Sequence, residues 1–137
     1  MKKIKIICLA AAGIALCGCG VKQSAQPDPE VQGQLWLNKA RTALSDSDFT
    51  AARSCVDSLR NQCAEALNAR EEGILLLDSI DLAEARRQLA DAQKAAAQQG
   101  LDIYTRDSVD THLDRMATKV RFYEKKLEHD RGNVQKH

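Results

Sequence analysis

The chain of 137 residues has only two prolines, and its aromatic residues are one Trp, two Tyr and two Phe. No apolar run reaches the ~20 residues that a membrane-spanning helix needs, and the formal net charge is only +1. Ala, Leu, Gln, Arg and Asp are frequent instead. Scarce prolines and aromatics among so many helix-forming residues predict an all-α domain.

Signatures of catalysis are also lacking. The sequence contains no glycine-rich phosphate loop, no HExxH and no fitting Ser/His/Asp set. His112 lies between Asp110 and Asp114, but residues two apart on a helix project to different sides, so we interpret them as a solvated face. We therefore expect no catalytic residues, no metal site, no cofactor and no enzyme activity.

The N-terminal segment has the order of a secretory signal. Lys2, Lys3 and Lys5 precede an apolar run of 11 residues from Ile6 to Leu16, which ends at Leu16-Cys17-Gly18-Cys19. This order is a charged region, an apolar region and a small-residue cleavage site. The run is too short to cross a bilayer as a helix.

A cysteine directly after Gly18 makes residues 1–18 resemble a bacterial lipoprotein signal peptide. The resemblance implies cleavage before Cys19 and acylation of Cys19, which anchors the chain to a membrane. Ordinary secretion and a retained membrane anchor are the alternatives. Gly20 follows in place of Asp, which implies by analogy the outer membrane, facing the periplasm.

Removal of this signal leaves 17 of the 20 basic residues against 19 acidic ones, since Lys2, Lys3 and Lys5 are lost. A balance without basic excess argues against nucleic acid as a partner. Residues 20–30 are polar and contain both prolines, so we interpret residues 19–33 as the lipid anchor and a flexible tether. The domain is then expected close to the membrane surface.

The domain contains an internal repeat of 33 residues, in which the segment 48–53 recurs as 81–86. Such a period is typical of stacked helical hairpins. The pattern resembles the tetratricopeptide repeat at Trp36, Ala40, Phe49, Ala52, Val56 and Leu59. The resemblance implies two helix hairpins in residues 34–99, with turns at 45–48 and 78–81.

A single long helix over residues 50–79 is the alternative. No Gly or Pro lies between Phe49 and Gly73, and the apolar positions also fit a heptad. Cys55 and Cys63 are eight residues apart, which is ~12 Å on one helix and too far for a disulfide. We interpret both as packing residues; a chain reversal that allows a disulfide, an intermolecular bridge and a reactive thiol are alternatives.

Residues 100–130 are predicted to form a C-terminal capping helix that begins near Thr105. Its apolar positions follow a strict 4-3 spacing, and they are Val109, Leu113, Met116, Val120, Tyr123 and Leu127. A similar stripe precedes it at Leu82, Ala85, Leu89, Ala92 and Ala96. A short loop containing Gly100 favours antiparallel packing of the two helices. Residues 131–137 are expected to be frayed.

One aromatic residue of this helix stands out as a partner contact. Phe122 is next to Tyr123, and neighbours on a helix cannot both face one seam. If Tyr123 lies in the seam, Phe122 is off it, beside Arg121 and Lys125. We predict Arg121, Phe122 and Lys125 as a partner-binding patch. This basic end could touch an acidic partner or anionic headgroups, although a solvated helix end is the plainer interpretation.

Together these features resemble small lipoproteins of Bacteroidota with degenerate repeats. The resemblance implies a membrane-anchored, non-enzymatic module for protein–protein interaction in the cell envelope, with an unidentified protein partner. The alternatives are a self-associating coiled-coil lipoprotein that acts as a spacer or anchor, hence a homo-oligomer, and an accessory subunit of an outer-membrane assembly machine.

Overall fold

A computed structural model describes residues 28–135 of the protein. The predicted signal peptide, the predicted lipidation site Cys19 and most of the predicted tether lie outside the described residues. Four helices account for the described part: α1 (Pro29–Ser45), α2 (Phe49–Gln62), α3 (Leu67–Ala96) and α4 (Ile103–Val134). The predicted all-α helical bundle is confirmed, and none of these helices is both long and apolar enough to cross a membrane.

Aspartates cap three of the four helices. Asp28 accepts a hydrogen bond from the backbone N–H of Glu30, with Pro29 in the first turn, and α1 begins there. Asp48 caps α2 and Asp102 caps α4 in the same way. The tether predicted to reach residue 33 is therefore too long, because Asp28 and Pro29 supply the cap and the fixed backbone angle that start a helix.

The N-terminus of α3 is capped from another helix. Its N-cap residue is Ala66, which offers no side-chain oxygen. The carboxylate of Glu30 in α1 accepts hydrogen bonds from the backbone N–H groups of Asn68 at 2.9 Å and Ala69 at 3.1 Å. A carboxylate there satisfies unpaired donors and complements the helix dipole.

The first predicted hairpin is present, and the second is not. α1 and α2 pack on each other through a turn at residues 46–48, as expected. The turn predicted at 78–81 is wrong, because α3 continues through it. The polar residues that suggested a turn have partners instead: Asp78 pairs with Lys126, Asp81 with Arg53, and Ser79 donates to the carbonyl of Leu75.

The alternative of one helix over residues 50–79 is wrong as well. The chain turns between α2 and α3 without a Gly or Pro, at residues 63–66. Cys63 and Ala66 are buried there, so apolar packing holds the turn. Cys63 lies in the core, and Cys55 packs against it. Both positions agree with their interpretation as packing residues, and the two are not joined by a disulfide.

The core has two parts that share α3. The first unites α1, α2 and the N-terminal half of α3, and its largest fully buried side chains are Leu37, Leu59, Ile80 and Val56. The second lies between α3 and α4 and contains Leu82, Ala85, Val120 and Leu127, with Leu89 and Tyr123 packed against it. The predicted antiparallel stripes of α3 and α4 therefore face each other.

Within residues 28–135, α4 packs on α3 and on no other helix. Lys126 meets Asp78, Lys119 meets Gln88, and Arg106 reaches the carbonyl of Ala96, so the two helices run antiparallel. α4 extends from Ile103 to Val134. The expected frayed tail is thus still helical through Val134.

α3 extends beyond the other two helices of the first core. Phe49 begins α2, and the guanidinium of Arg87 lies 4.8 Å from its ring centroid. The nine residues from Gln88 to Ala96 therefore continue past α2, which adds ~14 Å at 1.5 Å per residue. We call residues 88–119 the distal hairpin; it turns at Gly100, whose φ of +78° suits glycine.

Candidate partner-binding surface on α4

The predicted patch lies on the face of α4 that points away from α3. Phe122 is 59% exposed, while Tyr123 is half-buried against the second core. The two rings meet edge to face, with centroids 5.2 Å apart and an interplanar angle of 71°. Tyr123 therefore supports one side of the Phe122 ring and leaves the rest of that ring to solvent.

A line of exposed side chains runs along the outward face of α4. Its members are spaced three or four residues apart and are all exposed: Ser108, Thr111, Arg115, Thr118, Phe122, Lys125, His129 and Asn133. We call this line the outer stripe. It contains cationic and neutral side chains, and the exposed carboxylates Asp107, Asp114 and Glu128 lie beside it on the solvent side of α4. Arg121 flanks it and donates to Thr118 Oγ1 at 3.0 Å.

Two carboxylates from the same part of α4 are engaged in ion pairs with neighbouring side chains. Glu124 pairs with Arg86 of α3 at 2.9 Å, and Asp130 pairs with Lys126 at 2.8 Å. Lys126 in turn reaches Asp78 in α3. These pairs direct two of the carboxylates toward α3 or Lys126. Around Phe122 the exposed cations Arg115, Arg121 and Lys125 then outnumber the exposed carboxylates Asp114 and Glu128, so the surface there has a small positive excess that favours an anionic partner.

Sequence reasoning missed the cluster of Asp78, Lys126 and Asp130. Asp78 is 2% exposed, and its Oδ2 has no hydrogen-bond partner. Burial raises the pKa of Asp78, against the opposing effect of Lys126. Hydrogen bonds to Asp130 and Asp78 raise the pKa of Lys126, and Lys126 holds the pKa of Asp130 well below its usual range.

One signal could have revealed this cluster. Asp78 is the single carboxylate in the apolar run from Ile74 to Ile80. A charged residue inside such a run either starts a turn or finds a buried partner. The predicted turn corresponds to the first case, and the structure shows the second. The partner, Lys126, is 48 positions away, and nothing local to Asp78 indicates it.

The described residues include His112, so the structure bears on its predicted surface position and on a metal site there. No set of three or more His, Cys, Asp or Glu side chains within residues 28–135 is placed to hold a metal ion. His112 is exposed and lies beside Ala95 and Met116 in a shallow groove between α3 and α4. Its environment is that of a surface side chain.

Further exposed apolar side chains lie away from α4's outer stripe, and sequence reasoning did not identify them. Val31 and Leu35 are about half exposed on α1, and Leu67 and Ile74 are exposed on α3. Ile103 and Tyr104 are exposed at the turn of the distal hairpin. Each lies on the surface of a helix whose other face is packed.

Comparisons of the chain with protein-family models, with curated proteins and with solved structures gave no significant match.

Proposed function

We propose that this protein is a membrane-anchored lipoprotein that binds a protein partner in the cell envelope and has no enzymatic activity. The observation that carries the proposal is the outer stripe of α4. An aromatic ring that is 59% exposed lies there among cations, on a helix whose opposite face packs against α3. Exposed aromatics with arginine are typical of binding surfaces.

The charge of the outer stripe indicates the kind of partner. Arg115, Arg121 and Lys125 are exposed around Phe122, against the two exposed carboxylates Asp114 and Glu128, while Glu124 and Asp130 are engaged with Arg86 and Lys126. The surface around the ring therefore has an excess of positive charge. An acidic protein surface with an apolar recess for Phe122 is complementary to this arrangement. The cations would raise the rate of association, and the ring would slow dissociation.

The anchoring part of the proposal depends on the sequence at Cys19. The lipobox-like segment 16–19 supports acylation of Cys19, and the polar segment that follows supports a tether. An outer-membrane location facing the periplasm follows from Gly20 after the modified cysteine. Substitution Cys19→Ala tests the anchor, because it should move the protein from the membrane fraction to the soluble fraction.

Site-specific photocrosslinking in the native cells tests the binding surface. A photoreactive phenylalanine analogue replaces Phe122, and a second variant carries it at the exposed Thr50 of α2 as a control. We expect one discrete adduct from position 122 that is absent at position 50. Equal adducts at both positions, or none at position 122 in a chain that is folded and membrane-bound, would contradict the proposal.

The coiled-coil alternative has lost its main support. It was based on the continuous heptad over residues 50–79 and on the strict apolar stripe of α4. The chain turns at residues 63–66, and the α4 stripe packs against α3 in the same molecule. A monomer in sedimentation velocity is therefore the expected result for the variant without lipid.

A further inference from the structure

The end of the bundle at which α1 and α3 begin is partly apolar. Val31, in the first turn of α1, is 57% exposed, and Leu67, the first residue of α3, is 66% exposed. The Glu30 carboxylate joins these two helix starts through its hydrogen bonds to α3. We call this the proximal end; it also includes the turn at residues 63–66.

Cations lie beside the exposed Leu67. A shallow groove at this position is lined by Arg60, Leu67, Arg70, Glu71 and Ile74. Nη1 of Arg70 donates to the carbonyl of Ala64 at 2.9 Å, which holds its guanidinium at the proximal end. An apolar side chain flanked by arginines matches the headgroup region of a bilayer, where the charge can reach phosphate while the stem contacts acyl chain.

The proximal end is not purely cationic. Glu65 is exposed in the turn, and Glu71 lies in the groove. Glu30 is engaged in capping α3 and adds no free charge. With both signs present, binding to a bilayer would depend on apolar contact and on the position of the anchor more than on net charge.

The length of chain between Cys19 and Asp28 limits how far the proximal end can lie from the membrane. Eight residues, 20–27, connect the two, and the nine steps from Cys19 to Asp28 span at most ~32 Å when fully extended. The axis of α3, with 30 residues, is ~45 Å long. A chain acylated at Cys19 therefore keeps the proximal end within reach of the bilayer, whereas the far end of α3 can lie well beyond that distance.

We propose that the proximal end docks on the bilayer surface, with Val31 and Leu67 in the interface and Arg60 and Arg70 at the phosphates. This inference rests on the proposed acylation of Cys19. In this orientation α3 points away from the membrane, so the distal hairpin and Phe122 are held clear of the lipid. The C-terminal end of α4 lies nearer the membrane, because Arg131 lines a groove with Glu72 and Leu75 of α3. The partner of the outer stripe would then be met above the membrane surface.

Tryptophan reporters in the lipidated full-length protein test this orientation. Trp36 is the single tryptophan, so Trp36→Phe gives a parent protein without tryptophan fluorescence. Leu67→Trp reports on the proximal end, Ile103→Trp on the far end of the distal hairpin, and Phe122→Trp on the outer stripe; all three positions are exposed. The proteins are reconstituted into vesicles of phosphatidylcholine and phosphatidylglycerol, with or without bromine on the acyl chains.

We expect bromolipid to quench the Leu67→Trp variant and to shift its emission to the blue, with neither effect at Ile103→Trp or Phe122→Trp. Quenching at Phe122→Trp equal to that at Leu67→Trp would mean that the basic α4 face lies on the lipid, and it would overturn the proposal. So would an unquenched Leu67→Trp variant that floats with the vesicles. Failure of the unsubstituted protein to float would instead contradict the lipid anchor itself.

A charge substitution gives a second, independent readout. In a Val31→Trp, Trp36→Phe background, Leu67→Glu should abolish the bromolipid quenching, because a carboxylate is disfavoured in the interface. The matched change Ile103→Glu should leave the quenching intact. Circular dichroism of each variant establishes that the helices are preserved, and equal quenching in both variants would contradict docking through the proximal end.

Discussion

Glu30 and Ala69 lie 39 positions apart, and the Glu30 carboxylate accepts a hydrogen bond of 3.1 Å from the backbone N–H of Ala69. This bond gives α3 the cap that its own N-cap residue, Ala66, lacks. It also fixes the start of α1 to the start of α3. The segment that the sequence suggested as tether is therefore part of the folded domain from Pro29 onward.

Removal of this cap should destabilise the whole domain. Glu30→Ala leaves two backbone donors at the start of α3 without their carboxylate, and the loss of a cap costs about 1 kcal/mol. Urea denaturation followed by circular dichroism measures it. Glu65→Ala, at an exposed carboxylate of the same end, serves as the control and should change the free energy of unfolding little. Equal effects of the two substitutions would contradict capping by Glu30.

Two glycines in helices should respond to alanine with opposite signs. A Cβ on Gly33 would lie 2.7 Å from the Cβ of Ala69, where α1 and α3 approach closely, so Gly33→Ala should lower the free energy of unfolding by about 1–3 kcal/mol. A Cβ on Gly132 in α4 meets nothing within 4 Å. Gly132→Ala should therefore stabilise α4 by about 0.5–1 kcal/mol. Thermal melts that rank the two variants the other way would refute the close approach.

Ala52 and Ala85 are both fully buried, one in each part of the core. Ala52→Leu and Ala85→Leu each force extra methylenes between packed helices, which costs about 1–3 kcal/mol. Ala97→Leu makes the same change at an exposed position and should be close to neutral. The measurement is the midpoint of thermal unfolding. A midpoint equal to that of the parent for either buried variant would show that the helices around that alanine can accommodate a larger side chain.

Asp78 and Asp130 both pair with Lys126, but their contributions to the stability of the fold should change with pH in opposite directions. Burial raises the pKa of Asp78, so the folded state holds that proton more tightly and loses stability as the pH rises above about 4. The melting temperature of the parent minus that of Asp78→Asn should therefore decrease between pH 4 and 7. Lys126 lowers the pKa of Asp130, so its stabilisation is present at neutral pH and is lost as the pH falls below about 4.

The matching experiment for Asp130 runs at lower pH. The melting temperature of the parent minus that of Asp130→Asn should be constant from pH 7 to about 4 and should decrease below that pH. Thr111→Asn, which places the same side chain at an exposed position of α4 that carries no titrating group, is the control and should show neither trend. If Asp78→Asn and Asp130→Asn follow the same trend with pH, the assignment of the buried and the paired carboxylate is incorrect.

Local patterns in the sequence predicted what depends on near neighbours. The 4-3 spacing from Val109 to Leu127 predicted the face of α4 that meets α3, and that face is observed. The pairing of Phe122 with Tyr123 predicted which ring is exposed, and the structure agrees. In each case neighbours on one helix decide which side faces inward.

The wrong predictions involve residues whose interaction partners are distant in the sequence. Asp78 and Asp81 looked like turn residues, but Lys126 and Arg53 pair with them across helices. The turn before α3 has no glycine or proline; Glu30 caps the helix that follows it from 38 and 39 positions away. Helix propensity and periodicity cannot report such contacts, since tertiary packing overrides them.

The continuity of α3 has a consequence for local opening of the molecule. Its first half packs against α1, α2 and α4, whereas the residues after Arg87 extend past α2 and pack on α4. Amide hydrogen exchange along this one helix should therefore form a gradient, slowest near Ile80 and fastest near Ala96. Opening would begin at the turn around Gly100 and travel toward the first core. Local opening of the distal hairpin, as on binding a partner, would then cost less free energy than unfolding of the rest of the domain.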